Sequence, residues 1–141
     1  MISIKKEYNF NFSLIDNETK NLTGQSLKLY ITFESVFDSM DNTHIEKWQI
    51  NDFVQNSILE KINNAFICKK DNQDLFINQL TKLLIDNNKK ILLLDFEPTV
   101  EKLCVYISKC LNFSCVVENK DFRITSIELF KDNSQIFSVK D

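Results

Sequence analysis

Asn21-Leu22-Thr23-Gly24-Gln25-Ser26-Leu27-Lys28-Leu29-Tyr30-Ile31-Thr32-Phe33-Glu34 is the stretch whose reading decides the fold. Leu27, Leu29, Ile31 and Phe33 alternate with Lys28, Tyr30, Thr32 and Glu34, the period-two pattern of a strand with one buried face. Gly24 is the only glycine in the chain. Its place just before this run predicts a backbone geometry or close approach that a side chain would block. Upstream, Tyr8, Phe10, Phe12 and Leu14 alternate with Asn9, Asn11 and Ser13, so residues 2–15 read as a first strand. The polar link Asp16-Asn17-Glu18-Thr19-Lys20 is turn-like and makes the two strands an antiparallel pair.

Downstream the period changes. Ile50, Phe53, Val54, Ile58, Ile62 and Ala65 recur at three- and four-residue steps, one face of a helix, with Asn51 as its N-cap and Asp52 in its first turn. A second helix is expected over 74–86, with Leu75, Phe76, Leu80, Leu83 and Leu84 supplying its apolar face and Asp86-Asn87-Asn88 ending it. Ile91-Leu92-Leu93-Leu94 is a short apolar run that reads as a strand, although periodicity alone does not decide it. Pro98 and Thr99 open a further helix striped by Val100, Leu103, Cys104, Ile107 and Leu111. Phe113 to Glu118 is a candidate strand. Arg123 to Lys131 is a stronger one, with Thr125, Ile127 and Leu129 set against Ile124, Ser126, Glu128 and Phe130. Asp132-Asn133 then turns into a last strand over Gln135–Val139. Strands, helices, then strands favour an α+β architecture, an antiparallel sheet covered by helices on one face.

Composition bounds the function. The 141 residues, 43% hydrophobic with 12 phenylalanines, suffice for one domain spanning 1–141 around one core. The net charge of -3 gives no support to a sequence-independent grip on nucleic acid, which needs a basic surface. No apolar run approaches the roughly 20 residues that span a bilayer. With no hydrophobic leader, the expected location is the cytoplasm. Cys68, Cys104, Cys110 and Cys115 show no metal-binding spacing and are expected to be reduced packing residues. His44 is the sole histidine.

Taken together, the local words resemble the 6-pyruvoyl/6-carboxytetrahydropterin synthase family. Leu22-Thr23-Gly24-Gln25-Ser26 is similar to that family's Leu-His-Gly-His-Ser/Asn motif. Asn51-Asp52-Phe53 resembles its Met-Asp-Phe word, and Pro98-Thr99-Val100-Glu101 its Pro-Thr-x-Glu helix start. Ile127-Glu128-Leu129-Phe130-Lys131 occupies its final strand. The resemblance covers nearly the whole chain, in order. It implies a tunnelling fold, or T-fold: a four-stranded antiparallel sheet with two main helices packed on one face. Here an extra helix and strand are inserted around 68–96. It also implies edge-to-edge assembly into a homo-oligomer, a trimer or hexamer.

The chemistry that the resemblance implies is missing residue by residue. The family's three zinc-binding histidines fall at Leu14, Thr23 and Gln25, its catalytic cysteine near Thr19, and its Asp-His pair near Asn63-Asn64. Its pterin-anchoring glutamate falls near Lys131. None of these supplies a zinc ligand, nucleophile or base. No catalytic residue, metal ligand or cofactor is therefore assigned. The expectation is a catalytically inactive member acting as a ligand-binding or assembly component. Its remodelled polar pocket would combine Thr23, Gln25, Glu101 and Lys131. Its partner would be another protein, an active homologue, or a pterin- or purine-like small molecule. The alternative is a zinc-independent enzyme acting on such a molecule.

Overall fold

The computed structural model describes residues 3–16, 18–35, 47–131 and 134–140. Strand β1 (Ser3–Ile15) and strand β2 (Leu22–Ser35) form the predicted hairpin, in register from Ser3 opposite Glu34 to Ile15 opposite Leu22. The two long strands are joined by a turn that Asp16 fastens, because its carboxylate accepts from the N–H of Glu18 at 2.7 Å and of Thr19 at 3.1 Å. Leu27, Leu29, Ile31 and Phe33 are all buried, as their alternation requires. Burying such side chains stabilises the fold by about 1.5–3 kcal/mol each.

The first helical segment begins at Lys47, earlier than the sequence suggests. Helix α1 (Lys47–Val54) passes through a π-helical turn, Gln55–Leu59, into α2 (Glu60–Ile62). Asn51 is thus inside a helix and not its N-cap; its Oδ1 accepts from the Tyr8 hydroxyl at 2.9 Å. The helix stops at Asn63, whose ψ of 127° is extended, and Asn64 turns the chain with a φ of 63°. Ala65 consequently leaves the helical stripe and opens a strand, β3 (Ala65–Lys69). Helix α3 (Leu75–Asp86) and strand β4 (Ile91–Leu94) form where the sequence predicts, but α3 packs through Ile77, Leu80 and Leu84 and leaves Leu75, Phe76 and Leu83 of its expected apolar face exposed. Helix α4 (Val100–Val117) starts at Thr99, whose hydroxyl accepts from the Lys102 N–H at 3.2 Å. It runs through Phe113, so the strand expected over 113–118 does not form. Strands β5 (Phe122–Lys131) and β6 (Ser134–Lys140) close the chain.

The sheet order is β4-β3-β1-β2-β5-β6. Strands β1, β2, β5 and β6 make the expected antiparallel four. The sheet is six-stranded, one strand more than expected: β4, read from the sequence, lies parallel to β3, and β3, which was not, lies parallel to β1. A register shift on the β2–β5 ladder pairs Thr32 with Ser126 but Phe33 with Ile124, leaving Thr125 as the extra residue of a bulge. Strict alternation would put Ile124 and Ile127 on opposite faces. The bulge buries both, at 2% and 1% exposure.

Two apolar clusters result. The main core joins the inward face of β1, β2 and β5 to α1, the π turn and α4, and includes Ala65 and Ile67 of β3. The smaller one joins Phe66 and Cys68 of β3 to Ile77 of α3, with Ile91 and Leu93 of β4 beside it. Successive residues of a strand face opposite ways. Helix α3 therefore covers the sheet face opposite to α1 and α4, at the parallel edge. Inside the π turn, Ser57 is buried with no hydrogen-bond partner for its hydroxyl among the described residues.

Candidate functional site

The three positions to which the resemblance assigns the zinc histidines lie close together. Leu14 lies directly opposite Thr23, and Phe12 opposite Gln25. Opposed residues of an antiparallel pair, and residues two apart, share a face. Leu14, Thr23 and Gln25 thus sit side by side on the inward face at the hairpin end. Leu14 packs against the main core, and the Thr23 hydroxyl donates to the Asn21 carbonyl at 3.3 Å. A leucine has no lone pair to give, and a hydroxyl and an amide are poor substitutes for imidazoles. These residues do not fit a zinc ion. Among the described residues, no three of His, Cys, Asp and Glu are grouped to hold a metal elsewhere.

The remaining chemistry positions carry structural bonds. Thr19 belongs to the Asp16 turn, and its hydroxyl accepts from the Asn21 N–H at 3.3 Å. The N–H groups of Thr19 and Glu18 hold the Asp16 carboxyl below its usual value. Asn63 fastens the helix end to β1, because its Oδ1 accepts from the Asn11 N–H at 2.9 Å. Its carbonyl accepts from the Lys90 ammonium, and the Asn64 N–H donates to the Asn11 carbonyl. His44 and Asp132 lie outside the described residues.

The four expected pocket residues divide among separate places. Thr23 and Gln25 are neighbours on β2, beyond the point where the β2–β5 ladder ends at Lys28 opposite Phe130. Lys131 is the exposed last residue of β5, paired in register with Ser134. Glu101 stands in the first turn of α4 and lines a groove of about 400 Å³ with Phe96, Lys102, Val105, Tyr106 and Lys109. Among the described residues, no hydrogen bond or ion pair joins any two of the four. The groove itself was missed by sequence reasoning; its only sequence signal was Glu101. Phe96 and Tyr106 meet there with ring centroids 6.0 Å apart, and burial foremost pushes the Tyr106 hydroxyl up to about 12.

All four cysteines are free thiols. Burial raises Cys68, whose sulfur lies 3.5 Å from the Thr81 hydroxyl, and pushes Cys104 and Cys115 up to about 11. Thiols held protonated are poor nucleophiles at neutral pH.

Comparison with solved structures matches the whole chain. An uncharacterized protein from Wolinella succinogenes superposes with a TM-score of 0.73 at 15% identity, covering 99% of this chain and 98% of that one. The 6-pyruvoyl tetrahydropterin synthase of Caenorhabditis elegans gives 0.63 at 9% identity, covering 99% of this chain and 95% of its own. The fold is that of a 6-pyruvoyl tetrahydropterin synthase. The Plasmodium falciparum synthase agrees, with a TM-score of 0.63 at 13% identity, over 99% of this chain and 98% of that one. At such identities the likeness establishes the fold alone. No family model matches the chain, and no curated protein matches it. No helix among the described residues is long and apolar enough to cross a membrane.

Proposed function

We propose that this chain is a non-catalytic tetrahydropterin-synthase-like protein of the cytoplasm, a single domain that serves as a ligand-binding or assembly component. The observation that carries the reading is the register at the hairpin end. It sets positions 14, 23 and 25 beside one another, as a three-histidine site requires, and fills them with leucine, threonine and glutamine. Zinc there would polarise a substrate and organise the elimination of its side chain, and no residue of this trio replaces that role.

Assembly is supported by the strand edges. Strand β3 pairs with β1 only at Phe12 and Ser13, so Ser3–Phe10 has no ladder partner on that side among the described residues. Residues 22–27 of β2 lack a β5 partner in the same way. Open edges of this length invite pairing with another chain, and a homo-oligomer, trimer or hexamer, would consume them. Thr23 and Gln25 would then lie at a subunit boundary. There Lys131 or Glu101 of a neighbouring copy would complete a pocket for a pterin- or purine-like molecule.

Native mass spectrometry of the purified protein, titrated with Zn²⁺ and then with neopterin and guanosine, tests this. The expected result is a trimer or hexamer that retains no stoichiometric zinc. Retained neopterin or guanosine would assign the ligand-binding role, whereas an assembly that stays empty would assign the structural one. Stoichiometric zinc would overturn the non-catalytic reading, and a monomer would overturn assembly.

A further inference from the structure

Leu22 aside, every large apolar side chain exposed among the described residues lies on α3 or α4. Helix α4 buries Leu103, Ile107 and Leu111 on one side and bares Val105 and Phe113 on the other. Helix α3 buries Ile77 and bares Leu75 and Leu83. A helix that is apolar on both sides is one that is covered on both. The two bared faces cannot cover each other within one chain, because α3 and α4 lie on opposite faces of the sheet.

Each bared face is a stripe, and the two stripes match. On α3, Leu75, Gln79, Leu83 and Asp86 follow at steps of four, four and three, along one helix face. On α4, read backwards, Phe113, Lys109, Val105 and Lys102 follow at the same steps. Both stripes are exposed throughout. Laid antiparallel, they set Leu75 against Phe113, Gln79 against Lys109, Leu83 against Val105 and Asp86 against Lys102. Apolar side chains then meet at two levels, and a carboxylate meets an ammonium. None of Asp86, Lys102 and Lys109 has an ion pair among the described residues. The groove beside Phe96 is lined by Lys102, Val105 and Lys109, so Leu83 of a second copy would enter it.

The other pairings of these faces match less well. Laid parallel, the stripes set Leu75 against Lys102 and Asp86 against Phe113. Stripe α4 against its own copy, antiparallel, sets Lys102 against Phe113 and Val105 against Lys109, with no carboxylate for either lysine. Stripe α3 against its own copy sets Leu75 against Asp86. Charge and apolar pattern therefore select α3 against α4.

We propose that α3 of one copy packs antiparallel on α4 of the next, a head-to-tail contact through these stripes. A contact between two different surfaces leaves one of each free at the ends and repeats until a ring closes. The contact presupposes the assembly proposed above and uses none of the strand edges on which that proposal stands.

Cysteine variants of the full chain, mixed in pairs and mildly oxidised, test it. Leu83→Cys with Val105→Cys, and Leu75→Cys with Phe113→Cys, should each give a disulfide-linked dimer. The yield should be about tenfold above that of Leu75→Cys with Val105→Cys, which the register holds about two turns apart, beyond the reach of a disulfide. All four positions are exposed, so the fold is kept. In sedimentation, Asp86→Lys or Lys102→Asp alone should weaken self-association about tenfold by setting like charges together, and the two combined should restore it. Equal linking in all three mixtures would overturn the proposal, as would a combined variant no better than the single ones. Wild-type assembly without linking would overturn this contact and leave the edge pairing standing, whereas a monomer at every concentration would overturn both.

Discussion

Strands β2 and β3 are both buried, but in different ways. From Leu27 to Phe33, β2 buries every second residue, whereas β3 buries Ala65, Phe66, Ile67 and Cys68 in succession. The cause is the number of layers. Helices α1 and α4 cover β2 on one side only. Strand β3 lies between the main core and α3, so both of its faces are dry. At the hairpin end, the positions where the resemblance puts zinc ligands, nucleophile and base hold packing and turn groups.

The largest effects test whether the two apolar clusters are separate. Phe33 is fully buried and meets the Phe122 ring edge-on at 5.4 Å. Phe33→Ala should cost about 3–5 kcal/mol in urea unfolding and reduce amide protection across the whole sheet. Phe66→Ala, in the smaller cluster, should cost about 3 kcal/mol and speed exchange mainly in β3, α3 and β4. Equal loss of protection everywhere in both variants would make the clusters one cooperative unit and break the comparison.

A smaller effect comes from the buried thiols. Burial raises Cys104 and Cys115 from 9.0 to about 11. The folded state thus favours the protonated thiols. Their contribution is intact below pH 9 and is lost as pH rises towards 11. Tyr8, pushed up to about 12 by burial, acts in the same direction at higher pH. Unfolding free energy should therefore fall between pH 9 and pH 11. The double variant Cys104→Ala/Cys115→Ala should flatten that slope, and an unchanged slope would assign it to other groups. Ser57→Ala should act in the opposite sense. Removing an unsatisfied buried hydroxyl should raise stability by about 1 kcal/mol in the same urea assay.

What was legible in the sequence follows from layer number too. One-sided burial writes a period into β1, β2 and the stripe of α4, and Pro98-Thr99 marks the start of that helix. Two-sided burial writes none, so Ala65 fits the preceding helical stripe equally well and β3 has no signature of its own. Residues 113–118 misled for a different reason. Phe113, Val116 and Val117 are apolar yet 69%, 79% and 63% exposed on the last turns of α4, so they suggest a buried strand where none exists. The bulge at Thr125 is likewise invisible to an alternation rule. Of the expected pocket, adjacency of Thr23 and Gln25 was legible because two residues apart on a strand is a local relation. The distances to Glu101 and Lys131 depend on how α4 and the β5 end pack, which no local pattern encodes.

The smallest effect returns to the deciding stretch. Gly24 was expected to serve a backbone geometry or a close approach that a side chain would block. It does neither: its φ is not positive, and a Cβ added there meets nothing within 4 Å. It lies opposite Ser13, on the face turned away from the main core. A glycine inside a strand costs conformational entropy and packs nothing, so Gly24→Ala should raise stability by about 0.5–1 kcal/mol in the isolated chain. Native mass spectrometry of the same variant then separates two roles for that open space. Unchanged oligomer size would leave Gly24 as an unoptimised strand residue, while dissociation would mean that another subunit approaches the backbone there. In the second case the hairpin end is where the subunits meet.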